Sequence, residues 1–413
     1  MKYLMNISGE IPHAGINNIN IPLNGRNLII TGKNGSGKTS FLNKLNEKLS
    51  LHFSKEIQKH QQYESNLEYY EQQIANNLVG SYQYSEAQRG IEYTLKEINK
   101  INESLKLDFK SEFELLNFYD DFKAIYKSFE AMRKSDIQHV TSSTSIKVEK
   151  DQARNNIFNN LGKKLEQHLV NIRVNKAFAF EKNDIDRFNI LDEWFKQFDI
   201  QLKFLFENDT AKLIFNDQNF KFKVQLDERE FEFQSLSSGY QAIFDIFADL
   251  LVRSEFFEIS PLELRGIVLI DEIDAHLHIS LQKKILPFFT ELFPLIQFIV
   301  STHSPFVITS TDNDTVVYDI SSGEFFEDDL SRYSYESVIK GLFHVDTKSQ
   351  QLKSEIKAIT EILNNESNNY EKLREILRNI SPFAKQLDVE SKSFYFKALN
   401  HLLDNQELGD LDV

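Results

Sequence analysis

The sequence predicts an α/β protein. Its parallel strands carry a phosphate-type glycine loop, a helical hairpin interrupts the core, and a helical tail follows. Three observations predict this. First, the apolar run NLIIT (27–31) leads into GKNGSGKT (32–39), after which Phe41, Leu42, Leu45 and Leu49 share one helical face, so the local order is strand, glycine loop, helix. Second, IVLI (267–270) is a continuous apolar run and IQFIV (296–300) repeats the pattern around one glutamine, which suits parallel strands buried on both faces. Third, FKFKVQL (220–226) and FEF (231–233) alternate in polarity, the mark of antiparallel strands.

The remaining elements follow in order. Tyr63, Leu67, Tyr70 and Ile74 repeat at heptad spacing, and Ile91, Leu95 and Ile98 resume it after a break at Val79-Gly80-Ser81-Tyr82, with Leu105 completing the second arm. Two such arms predict an antiparallel helical hairpin, a short coiled coil. Arms of ~25 residues reach roughly 35–40 Å at 1.5 Å per residue. IYKSFEAMR (125–133) returns to the core. Apolar positions 158, 161, 165, 169 and 172 predict a helix over 155–172, residues 200–233 read as strands, and SLSSGYQAIFDIFADLL reads as a turn and an amphipathic helix. The tail reads as two or three helices broken at Pro382. The resulting plan is 1–48 for the N-terminal part of the core, 49–122 for the inserted hairpin, 123–345 for the rest of the core and 346–413 for the tail.

Composition narrows the function classes. With 413 residues, 41% hydrophobic and 26% charged, the chain supports a large core. A net charge of −15 argues against general binding of polyanions, so contact with DNA would need a local basic patch. The absence of cysteine excludes disulfides, thiolate metal sites and thiol catalysis, and fits the cytoplasm. The start MKYLMNISGEIPHAG has no apolar signal-peptide region. No run approaches the ~20 apolar residues that cross a bilayer, so no membrane partner is expected.

GKNGSGKT matches G-x-x-x-x-G-K-[ST] in full. The glycines let the backbone wrap an anion, successive N–H groups form a nest, and the helix N-terminus adds its dipole. Asn34, Gly35, Ser36, Gly37, Lys38, Thr39 and Ser40 are therefore the candidate phosphate contacts. Lys38 is expected to bridge the outer phosphates, and Thr39 to coordinate Mg²⁺. Asp271 and Glu272 end the strand 267–270: Asp271 is the second Mg²⁺ candidate, and Glu272 the candidate base for an attacking water. His303, in STHS at the end of the next strand, is placed to sense a terminal phosphate. Ser237, Ser238 and Gly239, in LSSGYQ before a helix, form a second candidate anion site. One glycine loop holds one terminal phosphate, so a second phosphate-reading element suggests that two copies share a nucleotide. His276 and His278 form H-x-H, but no third zinc ligand accompanies them.

These stretches, in this order, resemble the ABC-type ATPases, in the branch shared by SMC, RecF and OLD proteins. GKNGSGKT is similar to the Walker A motif, LSSGYQ to the signature LSGGQ, IVLIDEID to the Walker B strand with its catalytic glutamate, DAHLH to the D-loop, and His303 to the switch histidine. Ser238 departs from the second signature glycine, and Tyr240 separates Gly239 from Gln241. The resemblance implies ATP and Mg²⁺ as cofactors. It also implies a homodimer or higher homo-oligomer with nucleotide sandwiched between subunits. The long insertion between Lys38 and Ser237 separates the chain from transporter ATPases, and its hairpin is too short for an SMC arm. No nuclease domain is expected after residue 345, where the only DxD-like element is Asp410-Leu411-Asp412.

The combination resembles the stand-alone ATPase subunits of bacterial anti-phage systems, of the Septu or retron-associated PtuA type and the AriA type of PARIS. It implies an ATPase that regulates a separate effector, a nuclease or toxin. The alternative is a RecF-like ATPase that binds DNA directly in repair or maintenance.

Overall fold

A computed structural model of the protein describes residues 2–102, 105–155, 159–343, 348–365 and 368–409. Phe158, assigned above to a helix, and Asp410 and Asp412 lie outside the described residues. The chain divides into two units, Met1–Val338 and Ile339–Val413.

The first unit opens with strands β1 (Leu4–Ile11), β2 (Ile16–Pro22) and β3 (Asn27–Thr31), then α1 (Lys38–Phe53), α2 (His60–Asn76) and α3 (Tyr82–Asn102). Next come β4 (Leu105–Phe109), α4 (Glu112–Asp120), β5 (Ala124–Phe129), α5 (Ile146–Asn155), α6 (Leu165–Glu181) and α7 (Ile185–Phe206). A three-stranded antiparallel meander, β6 (Lys212–Asn216), β7 (Lys221–Leu226) and β8 (Arg229–Phe231), precedes α8 (Ser238–Phe257). Then follow β9 (Arg265–Ile270), α9 (Ile279–Gln282), α10 (Ile285–Leu292), β10 (Ile296–Ser301), α11 (Pro305–Ile308), β11 (Thr315–Asp319) and β12 (Glu324–Phe326); α12 (Tyr335–Gly341) contains the division between the units.

The central sheet has the order β12-β11-β3-β10-β9-β5. All its strands are parallel except the edge strand β12. Every residue of β3, β10 and β11 is buried, as the centre of a parallel sheet covered on both faces requires. The parallel arrangement brings the C-terminal ends of β11, β3, β10, β9 and β5 to one edge, where ligands gather in such sheets. A second sheet, β2-β1-β4, is antiparallel. Its inward residues, among them Ile7 and Ile21, join Phe41 and Leu45 of α1 and Leu269 of β9 in one core. Phe41 is fully buried, so truncating it to alanine costs about 3–5 kcal/mol.

The structure differs from the sequence expectation at several points. Leu105 begins a strand beside β1 instead of closing a heptad. In the helical pair, Leu95 faces outward, whereas Ala87, Thr94 and Ile101 of α3 are buried. Small residues set that seam: a methyl group at Gly90 would lie 2.7 Å from the Tyr70 ring, so α2 approaches closely. The expected helix over 155–172 is α6 with a separate short turn at Gly162–Lys164 before it. Residues 200–206 end a helix, and strands begin only at Lys212.

The second unit holds α13 (Gln350–Asn365), α14 (Tyr370–Ile380) and α15 (Val389–Asp404). Ile359, Leu373, Leu377, Ala398 and Leu402 form its own core. Pro382 lies in the short turn between α14 and α15, and Asp388 caps α15 by accepting from the Ser391 amide.

Candidate nucleotide site

The glycine loop leaves β3, closes one turn in which the Ser36 amide donates to the Lys33 carbonyl at 3.2 Å, and enters α1. Gly37 is the N-cap of α1 with φ 96°, a left-handed conformation that favours glycine. A methyl group there would also meet Ile16 Cδ1 at 2.9 Å. Around Gly35, by contrast, nothing lies within 4 Å of the position a methyl would take, so the loop's outer face is open to a ligand. Lys38 Nζ donates to the carbonyls of Gly32 and Lys33, both at 3.0 Å. Burial lowers its pKa, while Glu272, Asp271, Asp319 and Asp274 oppose that shift. Ser36 Oγ is buried and has no hydrogen-bond partner. An unpartnered buried hydroxyl inside an N–H-rich loop is what a bound phosphate would satisfy.

Two strands away, Asp271 and Glu272 follow β9. Thr39 Oγ1 donates to Asp271 Oδ2 at 2.9 Å, and Ser301 Oγ donates to Asp271 Oδ1 at 2.5 Å. The same Ser301 hydroxyl accepts from the Glu272 amide at 2.7 Å. Thr39 and Asp271 thus bring together two hard oxygen donors, the kind a magnesium ion takes. Glu272 has φ 46°, unusual for a residue with a Cβ. Its conformation is held from both sides. Ser301 takes its N–H, and Arg133 Nη2 donates to its carbonyl at 2.9 Å. Arg133 Nη1 donates to the Asp271 carbonyl and, at 2.7 Å, to that of Glu130.

His303 follows β10, half-buried. Burial, with the Lys38 charge second, holds its imidazole below the usual histidine pKa. Thr302 Oγ1 donates to Asp274 Oδ1 at 2.5 Å, tying the β10 exit to the loop after β9. On the other flank, the Lys33 amide donates to Ser321 Oγ at 2.7 Å, and the Ser321 amide donates to Asp319 Oδ1 at 2.8 Å. Gly32 is wedged among Ser321, Ser36 and Asp319.

Ser237 is the N-cap of α8, and Ser237 and Ser238 are exposed. A methyl at Gly239 would lie 2.7 Å from the His276 carbonyl oxygen, so the turn before α8 abuts the loop after β9. Tyr240 is accounted for by packing: its ring lies tilted against Phe206, the last residue of α7, with centroids 4.4 Å apart. Gln241 Nε2 donates to the carbonyls of Gln234 and Leu236. Among the described residues, no hydrogen bond or ion pair links 237–239 to the glycine loop. His278 caps α9, accepting from the Ser280 amide, and among the described residues no group of three His, Asp or Glu side chains could hold a metal.

The structure therefore gathers Lys38, Thr39, Asp271, Glu272 and His303 at one sheet edge, while Ser237–Gly239 touches the loop after β9 but, among the described residues, makes no hydrogen bond to the glycine loop. Sequence reasoning missed Arg133, Asp319 and Ser321, which no motif flags, and gave Ser301 no role although it lies within the quoted STHS. A parallel sheet with a glycine loop, an acidic pair and a histidine along one edge defines the class: an α/β nucleotide-binding protein.

Comparison with known proteins narrows the class. Residues 28–309 match the family described as "AAA domain, putative AbiEii toxin, Type IV TA system", and the chain belongs to that family. Shorter stretches are similar to curated proteins. The "Retron Ec83 probable ATPase" of Escherichia coli is 44% identical over 84 residues, 20% of this chain and 16% of that protein. The "Retron Vc95 probable ATPase" of Vibrio cholerae is 41% identical over 20% of this chain and 16% of that protein. The "Septu protein PtuA" of Bacillus mycoides is 42% identical over 17% of this chain and 10% of that protein. The chain thus matches only a small part of the length of these relatives. A crystal structure of an Smc head bound to the C-winged helix domain of ScpA aligns over 78% of this chain and 97% of that one, with 14% identity and a TM-score of 0.34. Among the described residues, no helix is long and apolar enough to cross a membrane.

Proposed function

We propose that the protein binds and hydrolyses ATP, that two copies close around the nucleotide, and that this cycle controls a separate effector in anti-phage defence. The observation that carries the reading is the division of the site. Lys38, Thr39, Asp271, Glu272 and His303 converge at one edge, while the second anion-type element, Ser237–Gly239, makes no hydrogen bond to the glycine loop among the described residues and has both serines exposed. A second copy supplying that turn completes the phosphate shell. The retron and Septu relatives support the defence context, and such an ATPase would work in the cytoplasm.

In this reading the N–H groups of 34–39 cradle the phosphates, with Ser40 behind them on α1. The Lys38 ammonium turns from the Gly32 and Lys33 carbonyls to the outer phosphates. Thr39 and Asp271 hold Mg²⁺, which when bound neutralises developing phosphate charge. Glu272, fixed by Ser301 and Arg133, orients the attacking water and accepts its proton. His303 contacts the terminal phosphate as a neutral hydrogen-bonding group. Ser237, Ser238 and the Gly239 amide reach the same phosphate from the partner copy.

Two variants test this. Lys38→Ala is expected to lose ATP binding, and unchanged affinity would contradict the loop's role. Glu272→Gln is expected to bind ATP, stop hydrolysis and accumulate as an assembled species in light scattering. Wild-type turnover in that variant would remove Glu272 as the base. A second reading, direct DNA binding, is favoured by one observation: Lys44, Lys48, Lys96 and Lys100 line a cleft between α1 and α3, beside Glu47 and Glu92. ATP-dependent, salt-sensitive DNA retention would support it.

A further inference from the structure

Away from the sheet edge, α7, α8 and α10 enclose a groove of about 930 Å³. Its walls are apolar, with Ile190 and Trp194 of α7, Phe247 of α8, Phe288 of α10 and Leu262 contributing. Ile190 is 70% exposed and Leu262 56% exposed. Side chains this apolar and this open, side by side, mark a binding surface more than a packing accident.

The charges of the groove have one sign. Among the described residues, its only charged lining residues are Glu193, Glu255 and Glu291. Glu255 accepts from the Trp194 indole N–H at 2.7 Å and faces His168 Nε2 at 3.5 Å. Two lysines stand on the rim, each held by a carboxylate outside the lining: Lys196 pairs with Asp192 at 2.8 Å and reaches Glu193 only at 4.0 Å, and Lys284, over the Phe204 ring, pairs with Glu207 at 2.8 Å. An apolar trough edged by carboxylates complements a helix with one apolar face and lysines or arginines along its borders. Phe247, Leu251 and Glu255 belong to α8, whose N-terminal turn carries Ser237–Gly239. An occupant of the groove would therefore press on the same rigid helix that presents the second anion-type element.

We propose that this groove is the docking site for an amphipathic helix with basic edges on a partner protein. The assignment deepens the effector reading above and rests on it only for what the partner does. The groove's chemistry stands independently of the nucleotide site.

Trp194 is the sole tryptophan and lines the groove, so its fluorescence reports occupancy directly. The probe is a synthetic helical peptide of leucine and lysine with one apolar face, and the control is its leucine–glutamate counterpart. The expected result is a saturable blue shift of Trp194, with the lysine peptide bound at least about tenfold more tightly. Ile190→Asp and Leu262→Asp are expected to weaken it about tenfold or more. Both residues are exposed, so the fold is retained, and circular dichroism verifies this. Each change adds negative charge, so simple attraction to an acidic chain would strengthen binding instead. Phe113→Asp, at an exposed position of α4, leaves the affinity unchanged, and Glu193→Lys with Glu291→Lys shifts preference toward the acidic peptide. Equal binding of both peptides, or lysine-peptide binding that survives Ile190→Asp, overturns the proposal. ATP affinity is measured on the same samples. If Lys38→Ala leaves it unchanged, the nucleotide reading fails while the groove result stands.

Discussion

Replacing Arg133 with alanine probes how the site holds its reactive carboxylate. The guanidinium spans the carbonyls of Glu130, Asp271 and Glu272, and Glu272 sits at φ 46°. A left-handed conformation costs a residue with a Cβ roughly 1–2 kcal/mol, and its neighbours must supply that. A hydrogen bond from a charged donor contributes about 1.5–3 kcal/mol, so losing the Glu272 contact is enough to release the backbone. A loss of roughly 2 kcal/mol in placing the carboxylate corresponds to about a thirtyfold fall in kcat. The glycine loop does not touch Arg133, so ATP affinity is expected to stay within about twofold. Steady-state turnover and a fluorescent-nucleotide titration separate the two, and a thermal melt accounts for any loss of folded protein. Arg133→Lys is expected to recover only part of kcat, because one ammonium does not reproduce a two-pronged contact. A kcat unchanged in Arg133→Ala, with ATP affinity and melting temperature also unchanged, would refute the reasoning.

Two further outcomes follow. His303 is held below its ordinary pKa of 6.5 by burial and Lys38, so its neutral form persists as pH falls through 6.5. Turnover is therefore expected to stay level down to that pH and fall only below it, where protonation also favours the unfolded chain; His303→Gln should lack this acidic limb in a pH–rate profile. Gly239→Ala places a methyl 2.7 Å from the His276 carbonyl. An overpacking cost of about 1–3 kcal/mol is expected to lower the melting temperature and abolish ATP-driven pairing, read by light scattering, while leaving ATP binding to the isolated chain intact.

The elements that carry motifs were legible because their local physics is self-contained. NLIIT and IQFIV are buried on both faces, and nothing but a central parallel strand suits them. The loop itself needs only its own glycines and the helix that follows. What stayed hidden depends on distant pairing. Leu105 reads as a heptad position until β1 offers it a ladder. Leu95 reads as a seam residue until Gly90 lets the Tyr70 ring in and Thr94 takes the buried position. Arg133 looks like any surface arginine, because its partners are backbone carbonyls of residues 271 and 272, and carbonyls leave no trace in a sequence. Tyr240 looked like a flaw in a motif and proves to be an anchor on Phe206.

The central claim is that two copies share each nucleotide, and the chain's lack of cysteine makes a direct measurement simple. Lys33 and Ser238 are both exposed. Lys33→Cys is placed in one copy and Ser238→Cys in another, both in a Glu272→Gln background, and the two are mixed with a short bifunctional thiol crosslinker. A crosslink between the two different chains that forms with ATP and Mg²⁺ and is absent without them is the predicted result. Crosslinking that is indifferent to ATP, or no crosslink between chains when ATP is demonstrably bound, would contradict the account.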